Sequence, residues 1–177
     1  MEKIFSILVF IFLFTLPTYA QQATGSDWNE SEKAQLQKEI SNLISNFQSK
    51  DFKKLISLTP PAIYEQMANE LDIDIDAIKE ILINMNTESY KNIMSVKLQF
   101  NPNDVDYRQL SNGEKYAIIP MSSEVEMRDG NKKKSELPTV ALMIDSKRYF
   151  VNAKGHEQLE LLKTLYPQFK DIDVDVN

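Results

Sequence analysis

The stretch 114-EKYAIIPMSSEVEMRDGNKKKSELPTVALMIDSKRYFVN-152 decides the fold. Within 114–121, Tyr116, Ile118 and Pro120 project one way and Ala117, Ile119 and Met121 the other, because strand side chains alternate with period two. Both sets are apolar, so this segment is expected to be covered on both faces. Residues 122–128 alternate more plainly, with Val125 and Met127 set against Glu124, Glu126 and Arg128. Asp129-Gly130 is the strongest short turn signal in the chain. A return strand follows over about 137–145, then a tight turn at Ser146-Lys147 and a short last strand over 148–152. Pro120 and Pro138 lack the amide hydrogen a ladder needs, so each is expected at a bulge, a strand start or an edge. The hairpin tip carries Arg128, Lys132, Lys133 and Lys134 with no apolar pattern, and is expected to project into water.

Working outward towards the N-terminus, 93–100 reads as another strand, with Val96, Leu98 and Phe100 alternating with Lys97 and Gln99. Asn101-Pro102-Asn103-Asp104 reads as a turn, and 105–110 as a short strand closed by Asn112-Gly113. Everything earlier is helical. Asn29-Glu30-Ser31-Glu32 has the spacing of a capping box. Leu36, Ile40, Leu43, Ile44 and Phe47 then mark one face of a helix to about Ser49. Asp51 is placed to cap a short helix with Phe52, Leu55 and Ile56, which Thr59-Pro60-Pro61 stops. Pro61 suits the first turn of a third helix carrying Ile63, Tyr64, Met67 and Leu71. Asp74 or Asp76 is expected to cap a fourth, with Ile78, Ile81, Leu82 and Met85 inward. Beyond the sheet, a last helix carries Leu159, Leu162 and Leu165 and ends at Tyr166-Pro167. The class is therefore α+β: N-terminal helices on an antiparallel sheet, with a C-terminal helix.

Residues 1–20 stand apart. Lys3 precedes an almost unbroken apolar run over 4–16, and Pro17-Thr18-Tyr19-Ala20 supplies a breaker and a small residue at a cut. That is the pattern of a secretory leader, and the run is short for a membrane span. The expected division is leader 1–20, flexible segment 21–28, a single domain 29–169 and an acidic tail 170–177 with Asp171, Asp173 and Asp175. The formal net charge is −6, which does not suit nucleic acid. The chain has no cysteine, which excludes thiol chemistry and fits an exported bacterial protein better than a disulfide-stapled animal domain. A periplasmic or secreted bacterial location is expected, with no stable membrane anchor once the leader is removed.

The chemistry on offer is thin. His156 is the single histidine, too few for a two-histidine zinc site, and it reads as a helix-start residue. Asp72, Asp74 and Asp76 open like a calcium loop, but Ala77 stands where the turn needs glycine and Ile83 where a bidentate glutamate is needed. Four glycines, none in a phosphate loop, argue against a nucleotide cradle. No cofactor and no metal are expected, and no residue is assigned a catalytic role. The basic hairpin tip is offset by Glu124, Glu126 and Glu136. The candidate pocket lining is Tyr64, Met67, Tyr116 and Tyr149, since a buried tyrosine wants a hydrogen-bond partner. Ordinary core packing is the competing account of the same residues.

The order of elements resembles the nuclear transport factor 2-like superfamily, the cystatin-like α+β cone, in its small exported bacterial members. The segment 47–67, which includes DFKKLISLTPPAIYEQM, and the ending RYFVNAKGHEQLELLKTLYPQF at 148–169 carry the resemblance. It implies a curved sheet and a cavity between the helices and the concave face, with the final helix an addition to the simplest form of the fold. Two functions follow as expectations. The first is an exported, non-enzymatic module that binds another protein or a small apolar ligand. The second is a small pocket enzyme of isomerase, dehydratase or cyclase type, using a carboxylate beside tyrosines in a closed cavity.

Overall fold

The computed structural model describes residues 27–154 and 156–174. The expected leader, most of the expected flexible segment, the His156 side chain and residues 175–177 lie outside the described part. Helices come first: α1 (Glu30–Gln48), α2 (Phe52–Ser57), α3 (Pro61–Leu71) and α4 (Ile75–Ser89). Strands β1 (Ile93–Phe100), β2 (Asp106–Gln109), β3 (Lys115–Met127), β4 (Lys132–Ile144) and β5 (Lys147–Asn152) follow, then α5 (His156–Leu165). The class is α+β, with a curled antiparallel sheet between helices.

The helix starts follow their local chemistry. Asn29 Oδ1 accepts from the Glu32 amide at 2.9 Å, and the Asn29 amide donates to Glu32 Oε2 at 2.8 Å, a complete capping box. The Asp51 carboxylate accepts from the Lys54 amide at 3.1 Å and starts α2. Helix α3 has Pro60 at its cap and no cap from a neighbouring side chain. The Tyr166 hydroxyl, from the far end of the chain, takes the free Ala62 amide at 3.2 Å instead. Asp74 occupies the cap position of α4, but its side chain makes no capping bond, contrary to expectation. Asp72, at φ 54°, ends α3 in the left-handed region.

The sheet order is β1-β3-β4-β5, with β2 also on β3. The registers Phe100↔Met121 and Asp106↔Ile118 run the same way along β3. So β1 and β2 are one interrupted edge strand, and the turn expected at Asn101–Asp104 interrupts it without reversing its direction. A 3-10 turn at Pro102–Asp104 takes up the extra residues. Strand β4 begins at Lys132, well before the expected 137, because Lys132 and Lys134 pair across to Glu126 and Glu124 at 3.5 and 3.3 Å. The projecting tip shrinks to a turn around Gly130, whose φ of 87° needs glycine.

Pro120 and Pro138 sit opposite each other in the two interior strands, not at an edge. The Pro138 carbonyl accepts from the Ala153 amide at 2.8 Å, so the side of Pro138 that lacks a donor faces the end of β5. In an antiparallel ladder the donors of such a facing pair point away from each other, so Pro120 faces the break between β1 and β2. Each proline therefore falls where the neighbouring ladder has already stopped.

Alternation sorts the sheet into two buried faces, as 114–121 predicts. Leu36, Ile40 and Leu43 of α1, with Trp28, pack on Leu98, Ala117, Ile119, Met121, Ala141 and Phe150. On the other face Leu159 and Leu162 of α5, with Phe169, Ile172 and Val174, pack on Tyr116, Val140, Leu142, Tyr149 and Val151. Residues 170–174 of the expected acidic tail are thus packed on the sheet, as is Trp28 from the expected flexible segment 21–28: Ile172 is 1% exposed and Trp28 6%. Both carry apolar area that only the sheet can remove from water. A third cluster, with Ile56, Ile63, Tyr64, Met67, Ile78 and Leu82, joins α2, α3 and α4 to Leu161 and Leu165 of α5. The Leu58 carbonyl accepts from the Phe150 amide at 2.8 Å and the Ser57 carbonyl from Lys147 Nζ at 2.9 Å. The α2–α3 connection thereby covers the edge that β5 would otherwise offer to other chains.

Candidate functional site

The four side chains selected from the sequence divide between two cores. Tyr64 and Met67 belong to the helical cluster, and Tyr116 and Tyr149 to the sheet face under α5. Tyr116 and Tyr149 flank Leu142 across three adjacent strands. Tyr64 donates to the Ile56 carbonyl at 2.8 Å, which satisfies its hydroxyl within the protein. Burial pushes its phenol up to about 12, partly opposed by a hydrogen bond with Thr59. The structure does not bring these four residues to one cavity.

A different group of residues converges at the end of the sheet where α1 begins. Strand register places Arg148 beside Met143, in a row that continues to Lys115 at the start of β3. Arg148 alternates with Tyr149, so it shares the α1 side of the sheet with Phe150. Trp28 lies just before the cap of α1 and donates from Nε1 to the Arg108 carbonyl at 3.0 Å. The Arg148 guanidinium carbon lies 5.3 Å from the Trp28 ring centre, a cation–π arrangement. Trp28 in turn packs on Tyr107, with ring centres 5.2 Å apart.

These residues line a cleft of about 270 Å³, bounded by Trp28, Glu32, Gly113, Glu114, Lys115, Met143 and Arg148. That volume sits just below the usual range for ligand sites, room for one small molecule. Gly113, at φ 90°, makes the β2–β3 turn that carries Glu114 to the rim.

The charges in the cleft differ in how far they are satisfied. Lys115 Nζ donates to both Glu32 oxygens at 2.8 and 2.9 Å and to the Asp27 carbonyl at 3.0 Å. Its three donors are used. Lys115, then the Asn29 amide, hold the Glu32 carboxyl below the usual carboxylate range. Arg148 Nε lies 2.5 Å from Glu39 Oε2. That contact is an ion pair and not an aligned hydrogen bond, since neither buried atom meets hydrogen-bond geometry. The Arg148 side chain is only 7% exposed. Its two terminal nitrogens make no hydrogen bond among the described residues, and Arg148 lines the cleft. Glu114 makes no side-chain ion pair or hydrogen bond among the described residues.

Sequence reasoning missed this group. The available signal was Arg148 itself: a charged residue two positions before Phe150, on the same face of a strand whose next three residues are Tyr149, Phe150 and Val151. A second depression of about 310 Å³ lies at the α3–α4 turn, along Ala68, Asn69, Asp72, Ile73 and Asp74. No group of three or more His, Asp or Glu side chains among the described residues is arranged to hold a metal ion. No described helix is long and apolar enough to cross a membrane.

Comparison with models of known protein families gives no match. Comparison with curated proteins gives none either. Among solved structures, the chain is similar to ActVI-ORFA from Streptomyces coelicolor at a TM-score of 0.46 and 10% identity, over 72% of this chain and 98% of that one.

Proposed function

We propose that this chain is an exported, non-enzymatic binding module of the α+β cone class, and that it binds through the cleft between the start of α1 and the β2–β3 turn. One observation carries the reading. A guanidinium that is 7% exposed lines the cleft, and its terminal donors make no hydrogen bond among the described residues. Nε is its buried nitrogen, set against Glu39, and the terminal nitrogens open on the cleft, where a ligand can take them. The tyrosines that a pocket enzyme would use are spent on core packing and, for Tyr64, on a backbone carbonyl. The apolar run at 4–16 supports export.

Thermal unfolding in the presence of fractionated small molecules from a bacterial envelope extract tests the binding role. At least one fraction should raise the melting temperature of the wild-type protein. The same fraction should leave Met143→Arg, which fills the cleft from a half-exposed strand position, unchanged. If no fraction stabilises the wild type, or Met143→Arg responds equally, the role is wrong. Expression of the full chain in a bacterium tests export: the released protein should begin at Gln21, and retention with residues 1–20 attached would refute it.

A further inference from the structure

We infer that the protein self-associates through the free edge of β1, with a second copy of the chain pairing antiparallel along 95–100. This surface is separate from the cleft and does not depend on what the cleft binds.

The direction of the backbone at that edge follows from the ladder. Met127 donates to the Asn131 carbonyl at 2.8 Å, so the backbone of Met127 points at β4. Alternation then turns Glu126, Glu124 and Ser122 towards β1, where they pair with Ser95, Lys97 and Gln99. The amides and carbonyls of Val96, Leu98 and Phe100 point the other way, off the sheet, and make no hydrogen bond among the described residues. The two edges of the sheet thus differ. The α2–α3 connection covers β5 through Leu58 and Ser57. The run 95–100 has no proline and a single lysine, and the irregular register of β1 lies before it, so the usual guards of an edge strand are nearly absent.

The pattern of the run selects a second copy as its occupant. Val96, Leu98 and Phe100 belong to the cluster on the α1 side, where Val96 and Phe100 are only partly covered. Lys97 and Gln99 are exposed on the opposite side. A copy centred on Leu98 sets Val96 against Phe100 and Leu98 against its own equivalent, and each facing pair exchanges two hydrogen bonds. Apolar side chains then meet apolar ones, and Lys97 falls opposite the neutral Gln99. Charges stay complementary along that row, because Lys97 faces Glu124 within its own sheet and Glu124 meets Lys134 at 3.3 Å. The adjacent registers lack this fit. Centring on Lys97 sets two ammonium groups face to face. Centring on Gln99 sets Val96 against Pro102, which has no amide hydrogen to give.

Sedimentation equilibrium of the full-length processed protein tests the association. A run this short buries less than a standard interface, so the dimer should form with a Kd of about 1–100 μM. Gln99→Lys and Gln99→Glu change an exposed side chain and should leave the fold intact. With Lys97 opposite, the first should weaken the dimer by at least about threefold and the second tighten it by a similar factor. Because the chain has no cysteine, crosslinks report the register directly. Lys97→Cys mixed with Gln99→Cys should give an oxidised dimer, since facing residues of a non-hydrogen-bonded pair stand about 4.5 Å apart. Either variant alone should not, because its two copies sit on a diagonal of about 7–8 Å. The inference is overturned if the protein stays monomeric at concentrations of about 1 mM. It is also overturned if the dimer ignores both Gln99 changes, or if the mixture crosslinks no better than either variant alone; such a dimer would use another surface.

Discussion

Glu32 serves two structures at once. Its carboxylate closes the capping box on the Asn29 amide and accepts hydrogen bonds from Lys115 at both oxygens, which ties the start of α1 to the start of β3. Because these contacts lower its folded-state value, the stabilisation is complete above the unfolded carboxyl value of about 4.3 and is lost as pH falls through the lowered one. Glu32→Gln should therefore cost about 1 kcal/mol at neutral pH and flatten the acid limb of the stability curve. Urea unfolding across a pH series reads both; an unchanged acid limb would contradict the assignment. Arg148 behaves differently because it is buried. Arg148→Leu leaves the buried Glu39 Oε2 without its cation, although Oε1 keeps the Gln35 amide, and should cost about 2 kcal/mol, while the double change with Glu39→Leu should recover most of that loss. Additive losses in a double-mutant cycle would show that the pair is not coupled.

At the scale of elements, the helices and most strand positions were legible, because capping chemistry and periodicity act locally. Asn29, Asp51 and Pro61 each mark a helix start where the structure has one. What was not legible depends on distant chain. The start of β4 is set by Glu124 and Glu126 across the ladder, and α3 is capped by Tyr166 from the last turns of the chain. The division of Tyr64, Met67, Tyr116 and Tyr149 between two clusters has the same cause. Tyrosine is visible as a polar aromatic, but whether its hydroxyl meets a cavity or a carbonyl depends on what packs against it, and Tyr64 meets the Ile56 carbonyl. This makes Tyr64 a structural group with its own pH signature. Burial holds its phenol at about 12, above the unfolded value of about 10. The associated stabilisation is whole below pH of about 10 and disappears as pH rises through about 12. Tyr64→Phe should remove that part of the alkaline limb and cost about 1–2 kcal/mol at neutral pH, since the Ile56 carbonyl loses its donor. Alkaline unfolding followed by far-ultraviolet circular dichroism compares the two; identical alkaline limbs would mean that the hydroxyl is solvated.

For the whole molecule, the sheet is a middle layer, and its second face has to be covered by the last part of the chain. An acidic, alternating sequence after Phe169 reads as tail, because Asp171 and Asp173 dominate its composition. The same alternation gives Ile172 and Val174 a common side, and a sheet face with Tyr116, Val140 and Leu142 takes them in. The backbone is fixed as well: Arg108 donates to the Asp173 carbonyl at 2.9 Å, and Asn112 to the Gln168 carbonyl at 2.8 Å. Arg108 belongs to β2 and Asn112 to the β2–β3 turn, so the C-terminal segment also braces the turn that carries Glu114. Ile172→Ala should then cost about 3 kcal/mol, the figure for a fully buried aliphatic side chain and not for a tail. Asp171→Ala, at an exposed position, should change stability by less than about 0.5 kcal/mol. Ending the chain at Phe169 should lower the melting temperature further than Ile172→Ala and weaken any ligand bound at the cleft, since the β2–β3 turn loses its brace. Melting temperatures of the three variants, with and without the stabilising extract fraction, decide it: equal stability of wild type and truncated chain would return 170–174 to the status of a free tail.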